Sequence, residues 1–329
     1  MSGDQKQNTS LTQIFSVQGP LANAVDGYKE RVEQVQMAQA IADAIASNKQ
    51  LVAEAGTGTG KTFAYLVPAL LSGGKVIIST GTKTLQDQLF NRDLPNVRNA
   101  LKVPVTVSML KGRANYVCRY YLERAEQSGR FASREDAQYV HLIKRFAENS
   151  KTGDKSELTD VPENSTIWPN VTSTRDNCMG QDCDYYKDCF VMDARKKALA
   201  ADVVVVNHHL FFADVMLRDE GVAELLPTAN TIIFDEAHQL PMVAGLFFGE
   251  DISTNQLIEL CRDTTTAYLT VAKDCIALTE VVTALEKAVK DFRLRFAFEG
   301  ARLPVQKALA LEGFGEAYVT LQSTLEALT

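Results

Sequence analysis

The order of apolar runs predicts an α/β fold: a parallel sheet interrupted by a cysteine-bearing insertion and followed by a helical region. Three observations carry that prediction. Short apolar runs alternate with stretches of helical spacing over the first 110 residues, the pattern of strand–helix units with a parallel sheet. The alternation stops across residues 111–200 and resumes at Val203 to Val206 and Thr231 to Phe234. From Ser253 onward the apolar residues recur at helical spacing, without strand-like runs.

Taken in order, Val35, Ala38, Ile41, Ala42 and Ile45 share one face of a helix predicted over Val35 to Ala46. Leu51-Val52-Ala53 predicts a short strand. A loop of glycine and threonine follows and opens a second helix, Phe63 to Leu71, which Gly73-Gly74 ends. Lys75 to Ser79 (KVIIS) is the next strand, Thr84 to Arg92 a helix, and Val103 to Met109 a strand closed by a Lys-Gly-Arg turn. The insertion holds two or three helical stretches and a polar segment, Ser150 to Asn177, with Pro162, Pro169 and the only tryptophan, Trp168. In the last region Val281, Leu285, Ala288, Val289 and Phe292 fall on one face, and the helical pattern runs to Thr329.

With 329 residues, 46% hydrophobic and 23% charged, the composition excludes a disordered or collagen-like chain and supplies a real core. No run approaches the roughly 20 apolar residues of a membrane span. The polar start, MSGDQKQNTS, carries no signal-peptide core, so the expected address is the cytoplasm. Net charge is −7; residues 111–199 hold 15 basic and 14 acidic residues, leaving −8 for the remainder. The insertion is therefore the part least repulsive to a polyanion.

Ala55-Gly56-Thr57-Gly58-Thr59-Gly60-Lys61-Thr62 lies between the predicted strand and helix, the context of a P-loop. There glycines turn successive N–H groups toward phosphate oxygens, and the helix N-terminus adds its dipole. Lys61 would reach the β- and γ-phosphates of ATP, and the Thr62 hydroxyl would ligate Mg²⁺. Asp235-Glu236-Ala237-His238 directly follows the strand TIIF. An aspartate at a strand's C-terminal end sits at the ligand crevice of an α/β sheet. Asp235 is thus a candidate Mg²⁺ ligand and Glu236 a candidate to orient the attacking water. An acidic helix start would look the same, but a P-loop about 175 residues upstream favours nucleotide hydrolysis. His238 either couples that site to a neighbouring segment or caps a turn. His208 and His209 have no second ligand at metal spacing and read as ordinary polar groups at a strand end.

Six cysteines in a cytoplasmic chain do not make a disulfide framework. Cys118, Cys178, Cys183 and Cys189 are spaced x59, x4 and x5, and four thiolates suit either an iron–sulfur cluster or a zinc ion. The unequal gaps, without paired C-x2-C knuckles, suit the cluster better; buried unligated thiols are the third reading. Cys261 and Cys275 are expected in the core of a helix.

Further segments give these motifs company: Tyr28-Lys-Glu-Arg31-Val-Glu-Gln34, Ser79-Thr80-Gly81-Thr82-Lys83-Thr84-Leu85, Lys111-Gly-Arg113-Ala-Asn-Tyr116-Val-Cys118 and Asp202 to Phe211 (DVVVVNHHLF). Together with the P-loop and DEAH they resemble the iron–sulfur superfamily-2 DNA helicases related to XPD, most closely the DinG/YoaA branch. The last 75 or so residues match only in helical character. The resemblance implies a RecA-like motor domain in two parts, residues 1–110 and 201–252, an iron–sulfur domain at 111–200 and a partial helical arch at 253–329.

It also implies an adenine-recognition element at Tyr28, Arg31 and Gln34, a [4Fe-4S] cluster on the four cysteines, and a monomer. The implied substrate is single-stranded DNA, followed with 5′-to-3′ polarity, with replication or repair proteins as partners and no membrane. Thr80, Thr82 and Lys83 would grip backbone phosphates, with Lys111 and Arg113 as further contacts. Tyr116, Tyr120 and Tyr121 would stack on bases or pack in the core, and Arg195, Lys196 and Lys197 would track phosphates or face solvent. A second RecA-like domain with an arginine finger has no counterpart in these residues, so nucleotide binding without unwinding is expected. Two readings compete: a zinc-containing P-loop ATPase that remodels protein, and a non-catalytic module for DNA binding or partner docking.

Overall fold

Helical spacing of the apolar residues and the capping signals around them account for most of the elements. The computed structural model describes residues 10–328 apart from 57, 130, 132, 176, 220, 222–224, 251 and 297–302. Two compact units are found, Met1–Phe248 and Gly249–Thr329.

In the first unit α1 (Val32–Ala46) turns Ala38 and Gln34 inward. α2 (Lys61–Ser72) starts directly after the phosphate loop, and its run from Ala64 to Leu70 is buried. β1 (Val76–Thr80) follows, then α3 (Lys83–Gln88), one wide turn over Leu89–Asp93, and α4 (Leu94–Leu101). The helix predicted to end at Arg92 thus continues past it, because Pro95 sits in the first turn of α4, where no N–H is required. β2 (Val107–Met109) is shorter than the run that predicted it. In the insertion come α5 (Arg119–Ser128), α6 (Arg134–Asn149) and α7 (Phe190–Ala200). β3 (Val203–Asn207), α8 (His208–Asp219), β4 (Thr231–Phe234) and α9 (Leu240–Phe248) complete the unit.

The four strands are all parallel in the order β2-β3-β1-β4, with Ser79 opposite Val206 on one side and Phe234 on the other. Side chains alternate between two cores, as a sheet covered on both faces requires. Val76, Ile78, Val203 and Val205 pack with α1, α2 and α4, whereas Ile77, Val204 and Val206 pack with Leu110, Ala198 and Leu226. The expected strand at Leu51-Val52-Ala53 does not form: residues 51–56 are irregular and Val52 is 98% exposed. An apolar run becomes a strand only when a neighbour takes its backbone hydrogen bonds. Here β4 pairs only with β1 among the described residues, and nothing extends the ladder to 51–56.

The insertion has its own core of Val140, Ile143, Ile167, Trp168 and Val171. It is stitched to the segment leaving β2, where Val117 N–H donates to Gly153 O at 2.9 Å and Cys118 N–H to Val171 O at 2.8 Å. α7 serves both cores: Phe190 and Val191 pack in the insertion, and Ala198 under the sheet.

In the second unit α10 (Thr254–Thr270), α11 (Ala277–Leu294) and α12 (Phe314–Glu326) enclose Cys261, Val282, Leu285, Val289 and Leu321. Ser253 and Gln256 form a reciprocal capping box at the start of α10. Cys261 is buried as expected. Cys275 is not: it is exposed in the turn before α11.

Candidate nucleotide site

The loop after residue 56 is shaped by two glycines in the left-handed region, Gly58 and Gly60, each at φ 81°. A β-carbon on Gly60 would lie 2.1 Å from Gln34 Nε2; the same amide donates to Gly60 O at 2.9 Å. Gln34 is buried, and the Tyr28 hydroxyl, which donates to Phe15 O at 2.8 Å, also meets Gln34 Oε1 at 3.3 Å. Burial pushes the Tyr28 phenol up to about 12, with Glu30 adding and Arg31 opposing. Gln34 therefore touches the loop and Tyr28 touches Gln34, with the Arg31 charge near the Tyr28 phenol. Thr59 Oγ1 closes the turn onto Gly56 O at 2.8 Å. Thr57 lies outside the described residues.

At the other side of the site, Asp235 follows β4 and its N–H donates to Ser79 O at 2.8 Å, prolonging the ladder by one rung. Glu236 then turns into the left-handed region at φ 56°, ψ 45°. Although 175 residues apart, Lys61 Nζ and Glu236 Oε1 lie 3.5 Å from each other. Tyr65, one turn into α2, donates to Asp235 Oδ2 at 3.4 Å, with the Thr62 side chain near its hydroxyl. Burial raises the Tyr65 phenol well above its ordinary value, and the Asp235 charge adds to that. Asp235 is likewise raised, first by burial and then by Glu236, with Lys61 opposing. The phosphate-loop lysine and threonine and both acidic residues thus converge at the C-terminal end of the sheet. A carboxylate held away from water next to another carboxylate favours a cation, and Thr62 and Asp235 are the oxygens that would hold Mg²⁺. His238 is 70% exposed and its Nδ1 lies 3.3 Å from Glu236 Oε2.

Tyr65 was not singled out from sequence. Its signal is an aromatic with a polar tip, one helical turn beyond Lys61-Thr62 on an otherwise apolar face. His208, by its place in the sequence an ordinary polar group at a strand end, is wholly buried, with Nδ1 2.7 Å from Ser79 Oγ.

Several expected DNA contacts are occupied inside the protein. Lys111 is 4% exposed and pairs with Asp87 at 2.7 Å and Asp154 at 2.8 Å, so it is a core ion pair rather than a phosphate grip. Thr80 is fully buried and its hydroxyl donates to Thr82 O, while Thr82 Oγ1 caps α3 on Leu85 N–H. Tyr116 is buried too, its hydroxyl accepting Lys111 N–H at 3.0 Å. Lys83, Tyr120 and Tyr121 keep some exposure; the two rings meet edge to face at 5.2 Å, and Tyr121 donates to Asn177 O.

Cys118, Cys178, Cys183 and Cys189 are half-buried free thiols. Cys118 is the N-cap of α5; burial raises its thiol pKa, the Cys189 and Cys183 sulfurs adding to the effect. Cys183 and Cys189 each end a one-turn 3-10 helix. Arg113 Nη1 donates to Cys178 Sγ at 3.1 Å, with Arg195 beside it. A guanidinium donor is one that metal-bound sulfurs accept, so the chemistry at Cys178 fits an inorganic centre. Among the described residues no three His, Cys, Asp or Glu side chains are gathered closely enough to hold a metal ion.

Comparison with known proteins adds the family. Residues 34–119 match the DEAD/DEAH box helicase family. The chain is 48% identical over 316 residues to the ATP-dependent DNA helicase YoaA of Escherichia coli (strain K12), covering 96% of this chain and 50% of that protein. It is 32% identical over 240 residues to the 3′-5′ exonuclease DinG of Bacillus subtilis (strain 168), covering 70% of this chain and 24% of that protein. Among solved structures an XPD helicase aligns over 91% of this chain and 48% of that one, with 19% identity and a TM-score of 0.41. The chain spans about half the length of YoaA.

Proposed function

The chain carries a DEAD/DEAH box helicase domain and is a homologue of YoaA and DinG proteins; from that premise we propose that it is the nucleotide-binding part of an ATP-dependent DNA helicase. The observation behind the proposal is the meeting of Lys61 with Glu236 at 3.5 Å, and of Tyr65 with Asp235 at 3.4 Å, at the end of the sheet. In this reading Gly58, Gly60 and the start of α2 hold the phosphates of ATP. Tyr28 and Gln34 face the base, and Lys61 leaves Glu236 for the β- and γ-phosphates. Glu236, freed of its partner, orients the attacking water. Mg²⁺, when held by Thr62 and Asp235, supplies charge neutralisation on the phosphates.

The whole protein would couple this turnover to 5′-to-3′ movement along single-stranded DNA, with closure and release around the nucleotide as the step. An arginine finger contributes on the order of 10³ to 10⁵ in turnover, and in this reading a second motor domain of the whole protein supplies it. The 329-residue chain alone is therefore expected to bind nucleotide without unwinding DNA. Cys118, Cys178, Cys183 and Cys189 would hold a [4Fe-4S] cluster that ties the insertion together.

DNA-stimulated ATP hydrolysis by the whole protein tests the reading. Lys61→Ala and Glu236→Gln should each cut turnover by at least about a hundredfold, and a wild type no faster than either variant would leave a non-catalytic module instead. A brown preparation with broad visible absorbance that Cys183→Ser abolishes supports the cluster. A colourless, zinc-containing preparation supports the remodelling ATPase.

A further inference from the structure

His208 follows β3 and opens α8, two positions beyond Val206, the residue that pairs with Ser79. Ser79 and His208 are both wholly buried. Ser79 reaches two ways: its carbonyl takes the Asp235 N–H at 2.8 Å, and its hydroxyl lies 2.7 Å from His208 Nδ1. The imidazole also lies against the main chain of Asp235 and Glu236, and its centroid is 6.1 Å from that of Phe234. His208 Nε2 has no hydrogen-bond partner.

Burial favours the neutral ring, which carries one N–H and one acceptor nitrogen. We take the Ser79 hydroxyl as the donor to Nδ1, one of the two roles this contact allows, which leaves the N–H on Nε2, the nitrogen without an acceptor. Buried polar groups are satisfied almost everywhere in folded proteins, so an orphan donor beside a reaction centre calls for a use. Glu236 supplies the need. A non-glycine residue in the left-handed region holds that conformation only where its surroundings impose it. That backbone sets the point from which the Glu236 side chain leaves the chain.

We propose that His208 is a positioning residue for the acidic motif: anchored by Ser79, it offers Nε2–H to the Asp235–Glu236 main chain and so aims both carboxylates at the magnesium nucleotide. The inference rests on the nucleotide-hydrolysis reading of the site. His208 touches neither nucleotide nor metal and exchanges no proton. Its effect comes from a bond completed when the acidic motif draws in around magnesium, so it favours the magnesium-loaded state over the metal-free one, and only such a difference can shift an equilibrium.

Binding of a fluorescent ATP analogue to the full chain, in Mg²⁺ and in EDTA, separates the acidic motif from the P-loop. His208→Phe keeps an apolar ring without the donor, Ser79→Ala removes the anchor, and His208→Gln keeps an N–H donor. His208→Phe and Ser79→Ala should each weaken binding about tenfold in Mg²⁺ and leave affinity in EDTA within about twofold. His208→Gln should recover most of the loss. In the whole protein the same variants should lower kcat with little change in KM, as loss of alignment does. Thermal melting confirms that each variant is folded, and Ser79→Ala carries the test if the ring replacement is not. Unchanged magnesium dependence in folded His208→Phe or Ser79→Ala overturns the inference alone, as does an equal loss in both media, which marks mere packing. A wild type that binds no nucleotide in either medium overturns the hydrolysis reading and this inference together.

Discussion

Replacing Asp154 by Asn tests whether Lys111 is the joint between sheet and insertion. Lys111 leaves β2 one residue beyond Leu110 and is 4% exposed, with Asp154 at 2.8 Å, Asp87 at 2.7 Å and Ser156 Oγ at 3.1 Å. Burial pulls the lysine pKa down, but the two carboxylates outweigh it and hold the pKa above its ordinary value. The lysine therefore stabilises the fold fully below its unfolded pKa, about 10.4, and loses that contribution only as pH rises through the higher folded value.

Removing one partner of a buried pair costs about 3–5 kcal/mol, because the other charge stays behind. The Asp154 side chain is 8% exposed, and Asn keeps one acceptor oxygen, so the low end, about 3 kcal/mol, is expected. The Asp87 side chain is 34% exposed, and Asp87→Asn should cost only about 1 kcal/mol. Lys111→Met leaves Asp154 with the Ser156 amide and hydroxyl, at 2.9 and 2.8 Å, and should also cost about 3 kcal/mol. Urea denaturation of the two singles and the double should return a coupling of at least about 2 kcal/mol between Lys111 and Asp154. A coupling near zero, or Asp154→Asn costing no more than Asp87→Asn, would refute the assignment of Lys111 to the core.

Three further outcomes follow from single contacts. Gly60→Ala forces a β-carbon onto Gln34 and should cost more stability than Gly58→Ala, which has the same φ but open space around it; calorimetry of the two variants compares them. Asp202 accepts from the Thr106 hydroxyl and amide at 2.7 and 2.8 Å, and those bonds hold its carboxyl below the ordinary value. Its contribution is present above the unfolded pKa, about 3.9, and lost as pH falls through the folded one. Asp202→Asn should therefore be less stable than wild type at neutral pH, and the gap should close in acid unfolding. Gly153→Ala, at φ 64° with its β-carbon 2.3 Å from the Phe190 ring, should loosen the insertion, seen as faster amide exchange at Val117, whose N–H is bonded to Gly153 O.

The sheet and the nucleotide site were legible because both are written locally. Runs such as VIIST and VVVV are buried along their whole length and fit a sheet covered on both faces. The glycine spacing around Lys61 reads as a loop that wraps phosphates, and Asp235 at a strand end reads as a crevice residue. What was missed depends on partners far along the chain. Leu51 to Ala53 has strand-like residues, but a strand needs a neighbour. Cys275 sits in a helical stretch of sequence, but in the turn between α10 and α11.

Residue type and spacing by themselves determined the α/β plan, the glycine loop and the place of the acidic motif at a strand end, since each depends on neighbours in sequence. Only the tertiary structure decided that Lys111 is neutralised in the interior, that Tyr65 bonds Asp235 and that His208 stands behind Glu236. A side chain's charge and hydrogen-bonding capacity are fixed by its chemistry. Whether they are spent on solvent, a ligand or the protein depends on which distant groups the packing brings within about 3 Å.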